Sequence, residues 1–114
     1  MIKDKRISLY DAGGATDLLC PRCGADYLHH TDVTAFDRGE DAETLVRTKL
    51  SGETVTRERI DSSAAGNPSL RRDGIAVRFW CESCCPQESS DIIELTIAQH
   101  KGQTEIGWRY TPRI

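Results

Sequence analysis

Two short spacings, Cys20-Pro21-Arg22-Cys23 and Cys81-Glu82-Ser83-Cys84, constrain this chain more than any other feature. Zinc takes four ligands in a tetrahedron, and a Cys-x-x-Cys turn offers two sulfurs to one ion while its backbone amides share their charge. Two such hooks predict one structural zinc ion and a fold that carries the hooks together. Gly24 follows the first hook, where the turn calls for a left-handed residue, and Pro21 stiffens the loop between the ligands. In the second hook that following position is Cys85. The fourth ligand is therefore either Cys84 or, through a Cys81-x-x-x-Cys85 bite, Cys85. Tetrahedral sulfur ligation suits iron as well as zinc, so spacing leaves the choice of metal open between them. A thiol redox pair shares the Cys-Pro-Arg-Cys spacing, but that motif opens a helix in a βαβ setting that the sequence does not show.

Residues 24–80 separate the hooks, where the simplest two-hook pattern has ~15 to 20. Extra β structure is expected between them. Leu, Ile, Val and Phe make up about a fifth of the 114 residues, close to the level below which chains tend to stay unfolded. So thin a core needs help, and a structural zinc supplies on the order of 10 kcal/mol. The length predicts one domain, read here as a lead-in over residues 1–17 and a folded unit over 18–114, with the insertion at about 38–74. The formal charge of −3 and pI of 5.6 argue against coating nucleic acid by bulk electrostatics. Residues 1–20 hold no continuous apolar block of the kind a signal peptide or membrane span needs, and the cysteine count of 5 is odd. A cytoplasmic location is the expectation.

Period-two patterning dominates. Residues 27–36 place Tyr27, His29, Thr31 and Val33 on one face and Leu28, His30, Asp32, Thr34 and Phe36 on the other. Runs at 44–50 and 54–60 flank Ser51-Gly52-Glu53 and predict a hairpin; a helix over 42–50 capped by Asp41 is the competitor, disfavoured by β-branched residues. Residues 61–74 read as a long loop, 75–80 as a strand entering the second hook, and 92–110 as two strands turned by Lys101-Gly102-Gln103. A further short strand is expected near Ile7–Tyr10.

The segments Leu19-Cys20-Pro21-Arg22-Cys23-Gly24 with Asp26-Tyr27-Leu28-His29-His30, Arg78-Phe79-Trp80-Cys81-Glu82-Ser83-Cys84, and Leu95 to Gly102 with Trp108 carry a resemblance to the zinc ribbon class. They resemble more closely small ribbon-like proteins of actinobacteria and their phages. The resemblance implies a mostly β fold: a zinc-ribbon-like antiparallel sheet with two CxxC knuckles and a long β-hairpin insertion between them. It also implies a phage or mobile-element origin. Ribbons serve transcription, translation and docking systems alike, so it does not imply one biochemical role.

Arg47 and Lys49 share one strand face, Arg57 and Arg59 another, and Arg71 and Arg72 lie in the long loop, so the insertion could offer phosphates a basic edge. Glu53, Glu58 and Asp61 among them suggest cross-strand ion pairs instead. His29, His30 and His100 lack ligand spacing and read as hydrogen-bonded surface histidines, while Phe79, Trp80, Trp108 and Tyr110 read as core more than as base-stacking platforms. No phosphate loop or nucleophilic serine elbow occurs, and a closed four-sulfur zinc keeps no open position for water. The reading is a non-enzymatic zinc module, an adaptor docking nucleic acid or a protein complex, with a small homo-oligomeric interaction module and a thiol redox protein as alternatives.

Overall fold

The structure, a computed structural model, describes residues 17–112. The strand expected near Ile7–Tyr10 lies outside them. Six strands follow in order: β1 (Leu28–Asp37), β2 (Thr44–Ser51), β3 (Thr54–Asp61), β4 (Gly74–Cys81), β5 (Ile93–His100) and β6 (Gln103–Tyr110). They form one sheet in the order β3-β2-β1-β4-β5-β6, antiparallel at every junction. Among the described residues there is no α-helix, only a 3-10 turn over Ser62–Ala64 capped by the Asp61 side chain, which accepts from the Ser63 amide. No helix of the described residues is long and apolar enough to cross a membrane.

Local chemistry explains the two hairpins. Lys101 (φ 51°) and Gly102 (φ 80°) are both left-handed, the geometry of a two-residue turn that matches the twist of its strands. Gly52 (φ 60°) opens the equivalent turn between β2 and β3. Over residues 42–50 the strand prevails against the helix, because Thr44, Val46 and Thr48 are stiff side chains that pair across to β3.

Strict alternation fails at one place. The β1–β4 register shifts between His30 and Val33, so a bulge inverts the faces partway along β1. Leu28, His30, Val33 and Ala35 end up opposite Cys81, Phe79, Val77 and Ile75 on one face, while His29, Thr34 and Phe36 share the other. The sequence pattern had put Leu28 and Phe36 together; the bulge separates them into two different cores.

Each face of the sheet has its own cover. On the first, Trp108, Ile93 and the buried Cys20, Cys81 and Cys85 make a core, with Leu18, Leu28, Phe79 and Leu95 packed on it. On the second, Phe36, Leu45, Ala65 and Ala76 make another, with Ile60 against it. The loop between β3 and β4 crosses this second face, because β4 pairs with β1 and not with β3. Arg47 on β2 donates to the Ala65 carbonyl at 2.9 Å and Arg109 on β6 to the Gly66 carbonyl at 2.7 Å. Strands β2 and β6 have three others between them, a span of roughly 19 Å if the sheet were flat. Both reach adjacent carbonyls because the sheet curls around the loop.

Candidate metal centre

The chain arrives at the first hook through Leu18, which packs on the Trp108 core. The Cys20 amide donates to the Ala25 carbonyl at 2.8 Å and the Gly24 amide to the Cys20 carbonyl at 2.9 Å, closing a tight turn. Gly24 completes it at φ 81°, where a side chain would be strained. The Arg22 amide points at Cys20 Sγ from 3.4 Å, the contact that stabilises a thiolate. Cys81, the last residue of β4, sits opposite Leu28 at the start of β1, so the central strand pair brings the second hook to the first.

The four sulfurs of Cys20, Cys23, Cys81 and Cys84 all lie within 4.8 Å of one another. Across the hooks, Cys20 Sγ is 3.6 Å from Cys84 Sγ and Cys23 Sγ is 3.6 Å from Cys81 Sγ. A tetrahedron with metal–sulfur bonds of ~2.3 Å has edges of ~3.8 Å, so the cluster has the size of a closed sulfur site. Cys85 takes a different place. Its backbone exchanges hydrogen bonds with Cys81 at 2.7 and 3.1 Å, and its buried thiol donates to the Asp91 carbonyl at 3.6 Å.

The electrostatics of the cluster are uneven. Burial pushes the Cys20 thiol up, against the pull of the Arg22 and Cys23 amides. Burial also pushes Cys84 up, and the neighbouring Cys20 and Cys23 sulfurs add to it. At Cys81 burial is outweighed by the Cys84 and Ser83 amides, and the thiol falls below its ordinary value. Beside them lies Arg22, whose nearly buried side chain donates to Asp91 at 3.0 Å. Burial works against its charge, yet Asp91 and the Cys84 and Cys85 thiols hold its pKa above the ordinary value. Four thiolates around a divalent ion carry two net negative charges, and Arg22 is the cation placed to offset them. The sequence marks this residue only as a spacer inside the first hook.

The basic residues singled out from the sequence do not converge. Arg47 and Lys49 stand on the loop-covered face, paired with Glu58 and, at 3.6 Å, with Asp32. Arg57 and Arg59 stand on the opposite face and donate to the Thr48 and Thr44 hydroxyls, each at 3.2 Å. Arg71 and Arg72 bind Glu40 at 3.3 and 3.0 Å, and Arg71 Nε donates to Asp41 at 2.7 Å. Lys49, Arg47 and Arg109 do line one cleft of ≈ 740 Å³ over Phe36 and Ala76, with Glu58 and Glu94 interleaved. Arg109, 3.4 Å from Glu94, came with no signal in the sequence, since its place depends on the curl of the sheet.

The aromatic residues split. Trp108 is buried, with Phe79 edge-on at 6.0 Å and Tyr110 packed nearby. Trp80 stacks on His29 at 4.2 Å, and His29 Nε2 lies 3.3 Å from Glu82. Comparison with family models, with curated proteins and with solved structures gives no match.

Proposed function

We propose that the chain is a zinc-ribbon-like, non-enzymatic docking module in which Cys20, Cys23, Cys81 and Cys84 hold one zinc ion. The observation that carries this reading is the cluster of four sulfurs, two from each hook, all within 4.8 Å of one another and with two edges across the hooks of 3.6 Å. Cys85 is excluded from the ligand set in this reading because its thiol is directed to Asp91. Three of the four ligands also lie in or beside the Trp108 core, so metal binding and folding are coupled. With every coordination position filled by sulfur, the ion supplies a clasp and no Lewis-acid site.

Docking falls to the surfaces beyond the clasp. The pairing of Arg47, Lys49, Arg71 and Arg72 with carboxylates favours a protein partner over nucleic acid, since phosphates would have to displace those carboxylates. Native mass spectrometry of protein purified without added metal tests the clasp. One zinc per chain is expected, with loss of metal and of β structure together in Cys20→Ser and Cys81→Ser. A protein that folds identically without metal refutes the reading.

A further inference from the structure

Among the described residues, the face of the sheet that carries the cysteine cluster is covered only at one end. Beyond it, apolar side chains continue from strand to strand in register: Val55, Leu50, Val33, Val77 and Leu95 stand opposite one another and lead to the buried Trp108. A second row runs parallel to it through Ala35, Ile75, Ile97 and Ile106. At the end away from the cysteines, Val55 is 62% exposed, Leu50 46% and Ile75 37%. No other strand of the sheet lies over these rows, because every substantial strand contact is between sheet neighbours.

Domains of this size are built from two layers, and a sheet with bare apolar rows is one layer short. From these features we infer that the bare rows are the contact surface of a homodimer, in which a second copy of this chain supplies the missing layer. The inference rests on the docking role proposed above and names its partner.

Three observations select a second copy. The centre of the patch, from Leu50 to Ile97, holds no charged side chain, while Arg57 and Arg59 stand at its β3 margin and Asp37 at its far row. An uncharged centre inside a charged rim is the anatomy of a subunit interface, and nothing in that centre selects a charged foreign partner. Two copies of the same twisted sheet stack face to face at about −30° without change of shape. Short of the buried Trp108, the rows cross five strands from Val55 to Leu95 and four from Ala35 to Ile106, on the order of 300 Å² in projection. Corrugation and the rim residues enlarge this toward the ~800 Å² that each partner of a standard complex buries. Pairing through the sheet edge is the weaker route, because β3 presents Arg57, Glu58 and Arg59 in succession, the charges that keep edges apart.

Sedimentation equilibrium of the full chain, over a concentration series, tests the inference. The expected particle has twice the 12.7 kDa chain mass. Leu50→Lys with Val55→Lys introduces two unpaired ammonium groups into the interface and is expected to weaken the dimer by about 100-fold or more. Both positions are exposed within one copy, so circular dichroism and zinc content should not change. Leu70→Lys, on the loop of the other face, is the control and should leave the dimer intact. A zinc-loaded chain that stays monomeric at every concentration overturns the dimer and leaves the metal reading standing. A dimer that persists unchanged in the double variant overturns it equally, as does a chain found paired only with a different protein. Loss of zinc from the wild-type chain counts against the metal reading instead.

Discussion

Cys20 and Cys84 are separated by 64 positions in the chain, and their sulfurs meet at 3.6 Å. Nothing local brings them together; the pairing of β1 with β4 does, and that pairing in turn lacks a turn to enforce it. If the cluster holds the proposed metal, the clasp and the central strand pair stabilise each other. Chelation is expected to abolish both at once. Trp108 reports the event, since it is buried in the same core as Cys20, Cys81 and Cys85: its fluorescence should move to longer wavelength as metal leaves. A chelated protein with unchanged emission would contradict the coupling.

Acid should release the metal. A sulfur must lose its proton to bind zinc, so falling pH favours the protonated, metal-free state. Burial holds the Cys20 and Cys84 thiols above their ordinary value, which makes these two the hardest for the metal to keep deprotonated. The sign follows: occupancy is full at neutral and alkaline pH and falls as pH is lowered. A colorimetric zinc assay against pH checks it, and occupancy that is flat down to the acid unfolding limit would count against thiolate ligation.

Arg22 is expected to matter for metal retention although it touches no metal. It is the cation beside the cluster, fixed by Asp91 at 3.0 Å. Outer partners of this kind contribute roughly 10- to 100-fold in metal affinity. Arg22→Gln should weaken zinc retention in competition with a chelator by that order, and Arg22→Lys should restore part of it. Equal retention in all three proteins would remove Arg22 from the site.

Cys85→Ala separates the clasp from thiol chemistry. Cys85 packs in the core and donates to the Asp91 carbonyl, so the variant should lose about 1 to 2 kcal/mol of stability yet keep one zinc. A drop to metal-free protein would make Cys85 a ligand. Reversible disulfide formation that disappears with this substitution would revive the redox alternative.

Gly74 begins β4 beneath the long loop, where a Cβ would run into the Asn67 side chain and come within 2.9 Å of Pro68. Asn67 is not free to retreat, since it donates to the Arg72 carbonyl at 2.8 Å and accepts from the Ser69 amide at 3.0 Å. Gly74→Ala should therefore cost about 1 to 3 kcal/mol. Combined with Asn67→Ala, the loss should be less than the sum of the two single losses, because the second change removes the nearer of the two obstacles. Denaturant melts of the four proteins measure this, and strict additivity would refute the collision.

Much of the architecture could be read in the sequence, and the boundary of what could is physical. Strand positions were legible because alternation, β-branched residues and turn glycines act over a few neighbours, as at Thr44 to Ser51 and around Lys101-Gly102. Strand order was not, since nothing near β4 states that β1 will be its partner. The bulge at residues 31–32 was invisible for the same reason: an extra residue has meaning only against a partner strand. At the second hook, spacing allowed Cys84 and Cys85 equally, whereas in the structure the Cys84 sulfur joins the cluster and the Cys85 thiol donates to the Asp91 carbonyl. The arginines illustrate the limit most directly, because Arg47 finds Glu58 only through the β2–β3 register and Ala65 only through the crossing loop.

That crossing loop acts as a belt buckled on both sides, to Arg47 and to Arg109. The β2 buckle lies close to the loop in the chain, whereas the other stands on β6, the last strand. The loop-side core should accordingly close no earlier than β6 docks, since its second buckle stands on that strand. In pulse-labelled hydrogen exchange during refolding with zinc, the amides of Ser69 and Arg72, held by Asn67 and the Ser69 hydroxyl, should gain protection after those of β1 and β4. Arg109→Ala should loosen the belt where that buckle sits, recognisable by faster proteolytic nicking near Gly66 while Arg38 and Ser69 still hold the stretch at Leu70.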